Sequence, residues 1–102
     1  MNKARFYTSI SMILLLTISS GVYAADIKAG KREATQCAMC HGVDGEGNGA
    51  PKSKISGMDI DTFIKHLHDF KSGTRKNVMM ERFANRLTDR DIENLAAYYA
   101  TK

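Results

Sequence analysis

The sequence predicts an all-α domain with three main helices and no sheet. Three segments carry apolar residues at helical spacing, and no segment alternates as a half-buried strand does. Five of the eight glycines and the single proline fall in one stretch between two of these segments. The chain has 102 residues, of which 43% are hydrophobic and 25% charged, so it is sized for one domain with a core. This composition excludes collagen-like, low-complexity and disulfide-rich classes.

The first predicted helix runs from Ile27 to about Ala38, and Asp26 is its N-cap. The second begins at Asp59 or Asp61 and stops at Gly73, a residue type common just past a helix end. The predicted inner positions of the first helix are Ile27, Gly30, Ala34 and Cys37, and those of the second are Ile60, Phe63, Ile64, Leu67 and Phe70. The second set is spaced so that all five lie on one face.

Thr88 is predicted to cap the third helix, with Asp91 in the capping-box position. Its inner face is predicted to hold Ile92, Leu95, Ala96, Tyr98 and Tyr99. Two long loops, Gly42–Gly57 and Thr74–Arg86, separate the three helices. Loops of this length are uncommon in so small a domain, which indicates that a large apolar group fills the space between them.

The first 24 residues are predicted to be a secretory signal peptide. Lys3 and Arg5 give a positive start, Ile10–Ile18 is an apolar run of nine residues, and Val22–Ala24 ends on a small residue suited to cleavage. The alternative, an uncleaved membrane anchor, needs about 20 apolar residues, roughly twice the length of this run. Cleavage after Ala24 leaves residues 25–102 as the mature domain, in the periplasm and with no stable membrane anchor.

The mature domain has a net charge of +2, because cleavage removes two of the 15 basic residues and none of the 11 acidic ones. No dense basic stripe with interleaved aromatic residues remains, so we expect no nucleic-acid partner. Basic residues are concentrated between positions 52 and 86, and this set includes Lys71, Arg75 and Lys76. They form either a moderately basic face for an acidic protein partner or ordinary solvated helix faces.

Cys37, Cys40 and His41 form the pattern C-x-x-C-H, which is the attachment signature of haem c. Cysteines three residues apart in a helical turn project from one face, so both sulfurs reach the two vinyl groups on one porphyrin edge. The next residue, His41, then presents its imidazole to the iron. A mature domain of 78 residues needs stabilisation beyond its core, and one covalent haem supplies it.

Three other uses of these residues compete with haem attachment. A thioredoxin-like dithiol requires strands that the sequence lacks. A zinc site would add His66 or His68, but the ligand spacings fit no zinc finger. A disulfide between Cys37 and Cys40 is chemically possible in an oxidising compartment, although it closes a loop too short to stabilise the fold much.

The iron also needs a sixth ligand, or an open position. The candidates by chemistry are His66, His68, Met39, Met58, Met79 and Met80. Both histidines flank the apolar face of the second helix and fit a surface role, Met39 lies inside the attachment turn, and Met58 suits the core. Met79 and Met80 are predicted to lie in a polar loop, where a thioether bound to iron would explain two neighbouring methionines. Methionine opposite histidine raises the reduction potential.

These strings together resemble the class I cytochromes c over nearly all of residues 26–102. Within that class the chain is most similar to single domains of bacterial di-haem cytochromes c and to the haem subunit of flavocytochrome c sulfide dehydrogenase. The matching strings are Cys-Ala-Met-Cys-His-Gly-Val-Asp-Gly at 37–45, Ile-Ser-Gly-Met at 55–58, Asp-Phe-Lys-Ser-Gly-Thr-Arg at 69–75, Leu-Thr-Asp-Arg-Asp-Ile at 87–92 and Leu-Ala-Ala-Tyr-Tyr at 95–99.

The resemblance implies a small class I cytochrome c fold, with three main helices packed around one covalently bound haem. It implies Met80 rather than Met79 as the axial ligand, because the ligand in these relatives stands seven residues before the position of Leu87. It also places Gly30 where the first and last helices cross. Relatives use a carbonyl near the position of Ser53 to hold the histidine, beside a second proline that this chain lacks, so the sequence leaves open which carbonyl orients His41.

The expected function is transfer of single electrons between redox proteins through a His/Met-ligated haem, with no catalytic residues. Only one C-x-x-C-H is present, so the protein is expected to be mono-haem. Two forms of this function stay open: a diffusible periplasmic shuttle, and a haem subunit tightly bound to a flavoprotein dehydrogenase of the sulfide dehydrogenase type. A ligand sensor or enzyme with a labile sixth ligand is the third hypothesis.

Overall fold

A computed structural model describes residues 13–14 and 24–102. Its helices are α1 (Ile27–Glu33), α2 (Ala38–His41), α3 (Ile60–Ser72), α4 (Val78–Ala84) and α5 (Asp89–Ala100), and a 3₁₀ turn at Ala34–Gln36 joins the first two. These residues contain no strand, so the predicted all-α class is confirmed. The predicted signal peptide, 1–24, lies outside the described residues except for positions 13, 14 and 24.

The predicted starts of the three main helices and the end of the second are confirmed, whereas the first helix, predicted to run to about Ala38, ends at Glu33. The side chain of Asp26 accepts a hydrogen bond from the Ala29 amide, and that of Asp59 accepts one from the Thr62 amide. Gly73 ends α3 in the left-handed conformation, with a φ of 79°. Thr88 and Asp91 form the complete capping box of α5. These residues act locally, which is why the sequence pattern locates them correctly.

The segment Thr74–Arg86, predicted to be a loop, instead contains helix α4. The side chain of Asn77 caps it by accepting a hydrogen bond from the Met80 amide at 3.0 Å. The helix has only seven residues, too few for a clear apolar period. The prediction of three main helices is therefore incomplete. Two short helices, α2 and α4, flank the space that the three main helices enclose.

Helices α1 and α5 cross at Gly30, and α5 also packs on α3. The buried apolar residues are Ala34, Phe63, Leu67, Phe70, Ala84, Leu87, Ile92, Leu95, Ala96, Tyr98 and Tyr99. A Cβ atom at Gly30 would lie 2.2 Å from the Asn94 carbonyl oxygen, so only glycine permits this approach of the two helices. The predicted inner positions Ile27 and Ile60 are wrong, because they are 47% and 44% exposed in the first turns of their helices.

Candidate haem-binding site

The C-x-x-C-H segment forms a single helical turn. Cys37 precedes α2, and its carbonyl accepts the His41 amide at 2.9 Å. Both cysteines line one cleft together with His41. Cys37 is half-buried and packs against the core, whereas Cys40 is exposed. The turn therefore presents two sulfurs and one imidazole to the same space, as the motif predicts.

A backbone carbonyl fixes the ring of His41. The Nδ1 atom of His41 lies 2.6 Å from the carbonyl oxygen of Ser53. A carbonyl only accepts hydrogen bonds, so Nδ1 carries the proton and donates it. This tautomer leaves the Nε2 lone pair free to bind a metal. The carbonyl that orients His41, which the sequence left open, is thus that of Ser53, on the loop opposite the motif.

The cleft is large enough for a cofactor. Its volume is about 890 Å³, inside the range of cofactor pockets. Apolar side chains from α3, α4 and α5 form much of its wall, namely Phe63, Leu67, Phe70, Phe83, Ala84, Leu87 and Leu95. A flat macrocycle with apolar faces fits such a wall, and two thiols, an imidazole and methionine thioethers are the donor set of a c-type haem. The residues present therefore fit the group.

Both adjacent methionines of α4 reach the cleft, but to different extents. Met80 is half-buried and packs against the core, whereas Met79 is 53% exposed. Met58 also lines the cleft and packs on the core, as predicted. Met39, in the attachment turn, is 92% exposed and is not among the cleft residues. The methionine candidates that face the cleft are therefore Met58, Met79 and Met80.

The two histidines of α3 differ in position. His66 lines the cleft, whereas His68 does not and lies 3.9 Å from an Asp89 carboxylate oxygen. Partial burial, and then the nearby Arg75 cation, lower the pKa of His66 below its ordinary value. The prediction that both histidines flank the apolar face of α3 is confirmed, since Phe63 and Leu67 are buried and both histidines are half-buried.

A family model described as cytochrome C oxidase, cbb3-type, subunit III, matches residues 25–98. The chain belongs to this cytochrome c family. Its cofactor is a covalently bound haem c. Among the described residues, no helix has the length and apolar character that a membrane span requires.

Relatives of two lengths match this cytochrome c domain. The cytochrome c-553 of Helicobacter pylori is 43% identical over 85% of this chain and 88% of its own length. The cytochrome c4 of Pseudomonas aeruginosa is 33% identical over 91% of this chain but only 47% of its own length. The structure of Acidithiobacillus ferrooxidans cytochrome c4 superposes with a TM-score of 0.72, at 33% identity, over 82% of this chain and 54% of that one. The chain thus spans about half the length of the cytochrome c4 relatives.

The structure gives more specific positions to three basic residues that the sequence pattern places on a basic face. Lys71, predicted to belong to a basic face, donates from its partly buried amine to the Leu87 carbonyl and so joins the end of α3 to the start of α5. Arg75 and Lys76 line the cleft. The hydroxyl of Tyr99 is buried with no hydrogen-bond partner in the described part of the chain, and burial raises its pKa.

Proposed function

We propose that this domain is a periplasmic mono-haem cytochrome that passes single electrons between redox proteins, with the haem joined to Cys37 and Cys40 and the iron bound by His41 and Met80. The observation that carries the proposal is the composition of the cleft. The attachment turn lies on its wall, and so do Met79 and Met80, of which Met80 is the more buried. When bound, the haem supplies the ferric/ferrous change.

The protein's residues hold and tune this group. The bond from His41 Nδ1 to the Ser53 carbonyl fixes the imidazole plane and increases its basicity as a ligand. The cap from Asn77 to the Met80 amide fixes the first turn of α4, which carries the proposed sixth ligand. With His41 and Met80 both holding the iron, the protein would leave no iron position open to substrate, and the same residues would hold it in both oxidation states. This arrangement suits outer-sphere electron transfer.

The exposed residues beside the cleft support transient contacts with redox partners. Met39 and Cys40, in the attachment turn, are exposed to solvent. The side chains of Val78 and Met79, at the start of α4, are 72% and 53% exposed and form an apolar surface there. Weak redox encounters use small surfaces of this kind. Two forms of this function are compatible with such a surface, a free carrier and a haem subunit bound to a flavoprotein. Gel filtration of native extract separates the two, because a carrier elutes near its own mass and a subunit elutes with its flavoprotein.

The sixth ligand is tested with neighbouring substitutions, Met80→Ala and Met79→Ala, in the haem-loaded protein. We expect Met80→Ala to lower the reduction potential and to let the ferrous protein bind carbon monoxide tightly, since it removes a neutral soft ligand that favours ferrous iron. Met79→Ala is the matched control and should resemble the unsubstituted protein. If the two phenotypes are exchanged, Met79 is the ligand. If neither substitution opens the iron, ligation by a methionine of α4 is wrong, and Met58→Ala and His66→Gln become the next variants.

The proposed export is tested by the mass of the purified protein. We expect a chain that begins at Ala25 and carries one haem, recovered from the periplasmic fraction. Retention of residues 1–24 on a membrane-bound product would contradict cleavage, while leaving the haem assignment intact.

A further inference from the structure

Tyr99 lies directly behind the wall of the cleft and is completely buried. Its exposed fraction is 0%, and it does not line the cleft itself. Its ring stacks on that of Phe63, which does line the cleft, with the centroids 5.6 Å apart and the planes at 27°. The Tyr99 carbonyl accepts the Gly57 amide at 2.9 Å. The fold therefore holds both the backbone and the ring of this residue.

The loop after the attachment turn lies closely against the Tyr99 ring. A Cβ atom at Gly45 would lie 2.8 Å from Cδ1 and 2.9 Å from Cε1 of Tyr99, so glycine is the residue that permits this approach. Gly45 also has a φ of 76°, which glycine adopts without strain. With Phe63 stacked on it and this loop against it, the ring has little space in which to move its hydroxyl.

The hydroxyl of Tyr99 is a buried donor that lacks a partner. Within residues 24–102 it is the one buried side-chain oxygen or nitrogen that forms no hydrogen bond. Leaving such a group unsatisfied is costly, so native proteins nearly always provide a partner. Burial raises the pKa of this phenol, and the neighbouring Cys37 side chain raises it further. The hydroxyl therefore keeps its proton and remains a donor.

The surroundings of the hydroxyl contain few possible acceptors. The side chains that act on it are Cys37, Tyr98 and Glu46. Glu46 is exposed, and its carboxylate already accepts the Asp44 amide at 2.9 Å. The ring of Tyr98 makes an edge contact with that of Tyr99, at an angle of 64° between the planes. Of the three neighbours, Cys37 alone lines the cleft and so connects the hydroxyl to the attachment turn.

We propose that the Tyr99 hydroxyl donates a hydrogen bond to the Cys37 sulfur when this sulfur is bound to the haem, which makes Tyr99 a positioning residue of the attachment site. The sulfur of a thioether carries no proton and acts only as a weak acceptor, so it complements a protonated phenol. Such a bond restrains the Cys37 side chain and withdraws electron density from its sulfur, which favours the ferrous state. This inference rests on the proposed attachment through Cys37 and adds a residue outside the C-x-x-C-H motif.

The test compares Tyr99→Phe with Tyr98→Phe in the haem-loaded protein. Each substitution removes one hydroxyl from a buried tyrosine of α5 and keeps the ring. We expect Tyr99→Phe to change the ferric/ferrous ratio at the original midpoint by about twofold toward ferric, roughly 18 mV for one electron. Tyr98→Phe is the matched control and should leave the ratio unchanged, because Tyr98 packs on Gly30 and does not line the cleft.

Proton NMR of the ferrous protein detects the hydrogen bond itself. We expect one slowly exchanging hydroxyl resonance with a nuclear Overhauser effect to the β protons of Cys37. This resonance should be absent from Tyr99→Phe and present in Tyr98→Phe. A ring that acts only by filling space gives no such signal. A Tyr99 hydroxyl proton that exchanges too fast to observe, or that shows its contacts to another group, would overturn the proposal.

Thermal unfolding supplies an independent criterion. A buried hydroxyl without a partner destabilises the folded state, so its removal would raise Tm. The proposal requires Tyr99→Phe to melt at or below the temperature of the unsubstituted protein. A higher Tm for Tyr99→Phe, or equal potentials in the two variants, would contradict it.

The haem content of each protein separates this proposal from the proposed function. Mass and absorption spectra are recorded first. If both variants carry one covalent haem with unchanged axial ligation, the difference in potential reports on the Tyr99 hydroxyl alone. If the unsubstituted protein has no haem bound to Cys37, the proposed function itself fails, and that result is distinct from any effect of Tyr99→Phe.

Discussion

Gly30→Ala places a single methyl group at the crossing of α1 and α5. Helix propensity alone predicts that alanine stabilises an interior helical position by about 1 kcal/mol relative to glycine. The geometry predicts the opposite. The added Cβ would lie 2.2 Å from the Asn94 carbonyl oxygen, 2.7 Å from its carbon and 2.9 Å from the Tyr98 Cβ. The two nearest atoms belong to the α5 backbone, so no side-chain rotation relieves the contact.

The magnitude follows from how far the helices must separate. Ordinary contact begins near 3.4 Å, so α1 must move about 1.2 Å away from α5. That movement lengthens the bond from the Asp26 amide to the Asn94 side chain, now 2.7 Å, and loosens the packing over Ala34. Overpacking of this kind costs about 1–3 kcal/mol, and a backbone contact that no side-chain rotation relieves belongs at the upper end, which outweighs the gain of about 1 kcal/mol in propensity. We expect a net loss of about 2 kcal/mol, equivalent to a decrease in Tm of roughly 8–16 °C.

Thermal unfolding of the haem-loaded protein, followed by far-ultraviolet circular dichroism, measures this effect. Lys28→Ala is the control, because Lys28 is exposed on the same helix and its substitution should leave Tm within a few degrees. A Gly30→Ala protein that melts at or above the temperature of the unsubstituted protein would refute the crossing geometry, since the helix propensity of alanine would then outweigh the steric contact.

Three further perturbations test the haem, a tertiary hydrogen bond and a titration. Replacing Cys37 and Cys40 together with alanine should abolish covalent haem and leave the chain largely unfolded by circular dichroism; a folded, haem-free double variant would contradict stabilisation by the cofactor. Lys71→Met should lower the free energy of unfolding by about 1–2 kcal/mol in urea, because the Leu87 carbonyl loses a charged donor. Arg75→Gln should raise the pKa of His66, measured by NMR titration, because a cation that disfavours the protonated imidazole is removed; an unchanged or lower pKa would refute that cause.

Local chemistry explains which helix boundaries could be predicted from sequence. Asp59, Gly73, Thr88 and Asp91 act on backbone groups three residues away or fewer, so their roles depend little on the remainder of the fold. The buried face of α5 was predictable for a related reason, because this helix packs on both α1 and α3 and its apolar period is complete.

Helix α4 could not be predicted by the same reasoning. Its residues Met80, Phe83 and Ala84 border the cleft. Part of the apolar surface that they would contact is therefore that of the proposed haem, and the rest is that of other helices. Seven residues are too few to define a helical period of apolar positions. Asn77, which caps the helix, is a residue type that is also common in turns. The two long loops predicted that a large group fills the domain, but loop length does not specify which segments become helical around it.

The same helix accounts for the ambiguity between the two methionines. Consecutive residues of an α-helix are separated by about 100° around its axis, so Met79 and Met80 cannot face the same point. Residue type alone does not distinguish them. In the first turn of α4, which the Asn77 cap fixes, Met80 is half-buried and Met79 is 53% exposed. In a loop of unknown conformation, either methionine could face the cleft.

The carbonyl that orients His41 illustrates how one restraint replaces another. The family resemblance implies a second proline near this position, and the chain has none beyond Pro51. Here the Ser53 hydroxyl donates to the Ala50 carbonyl at 2.7 Å and accepts the Asn48 amide at 3.2 Å, so two hydrogen bonds restrain the residue whose own carbonyl holds the imidazole. Gly47, with a φ of 87°, lets this turn close, since a Cβ there would lie 2.7 Å from the same hydroxyl oxygen. A side chain that is unremarkable in sequence thus supplies the rigidity that a proline ring provides elsewhere, and only the folded loop identifies it.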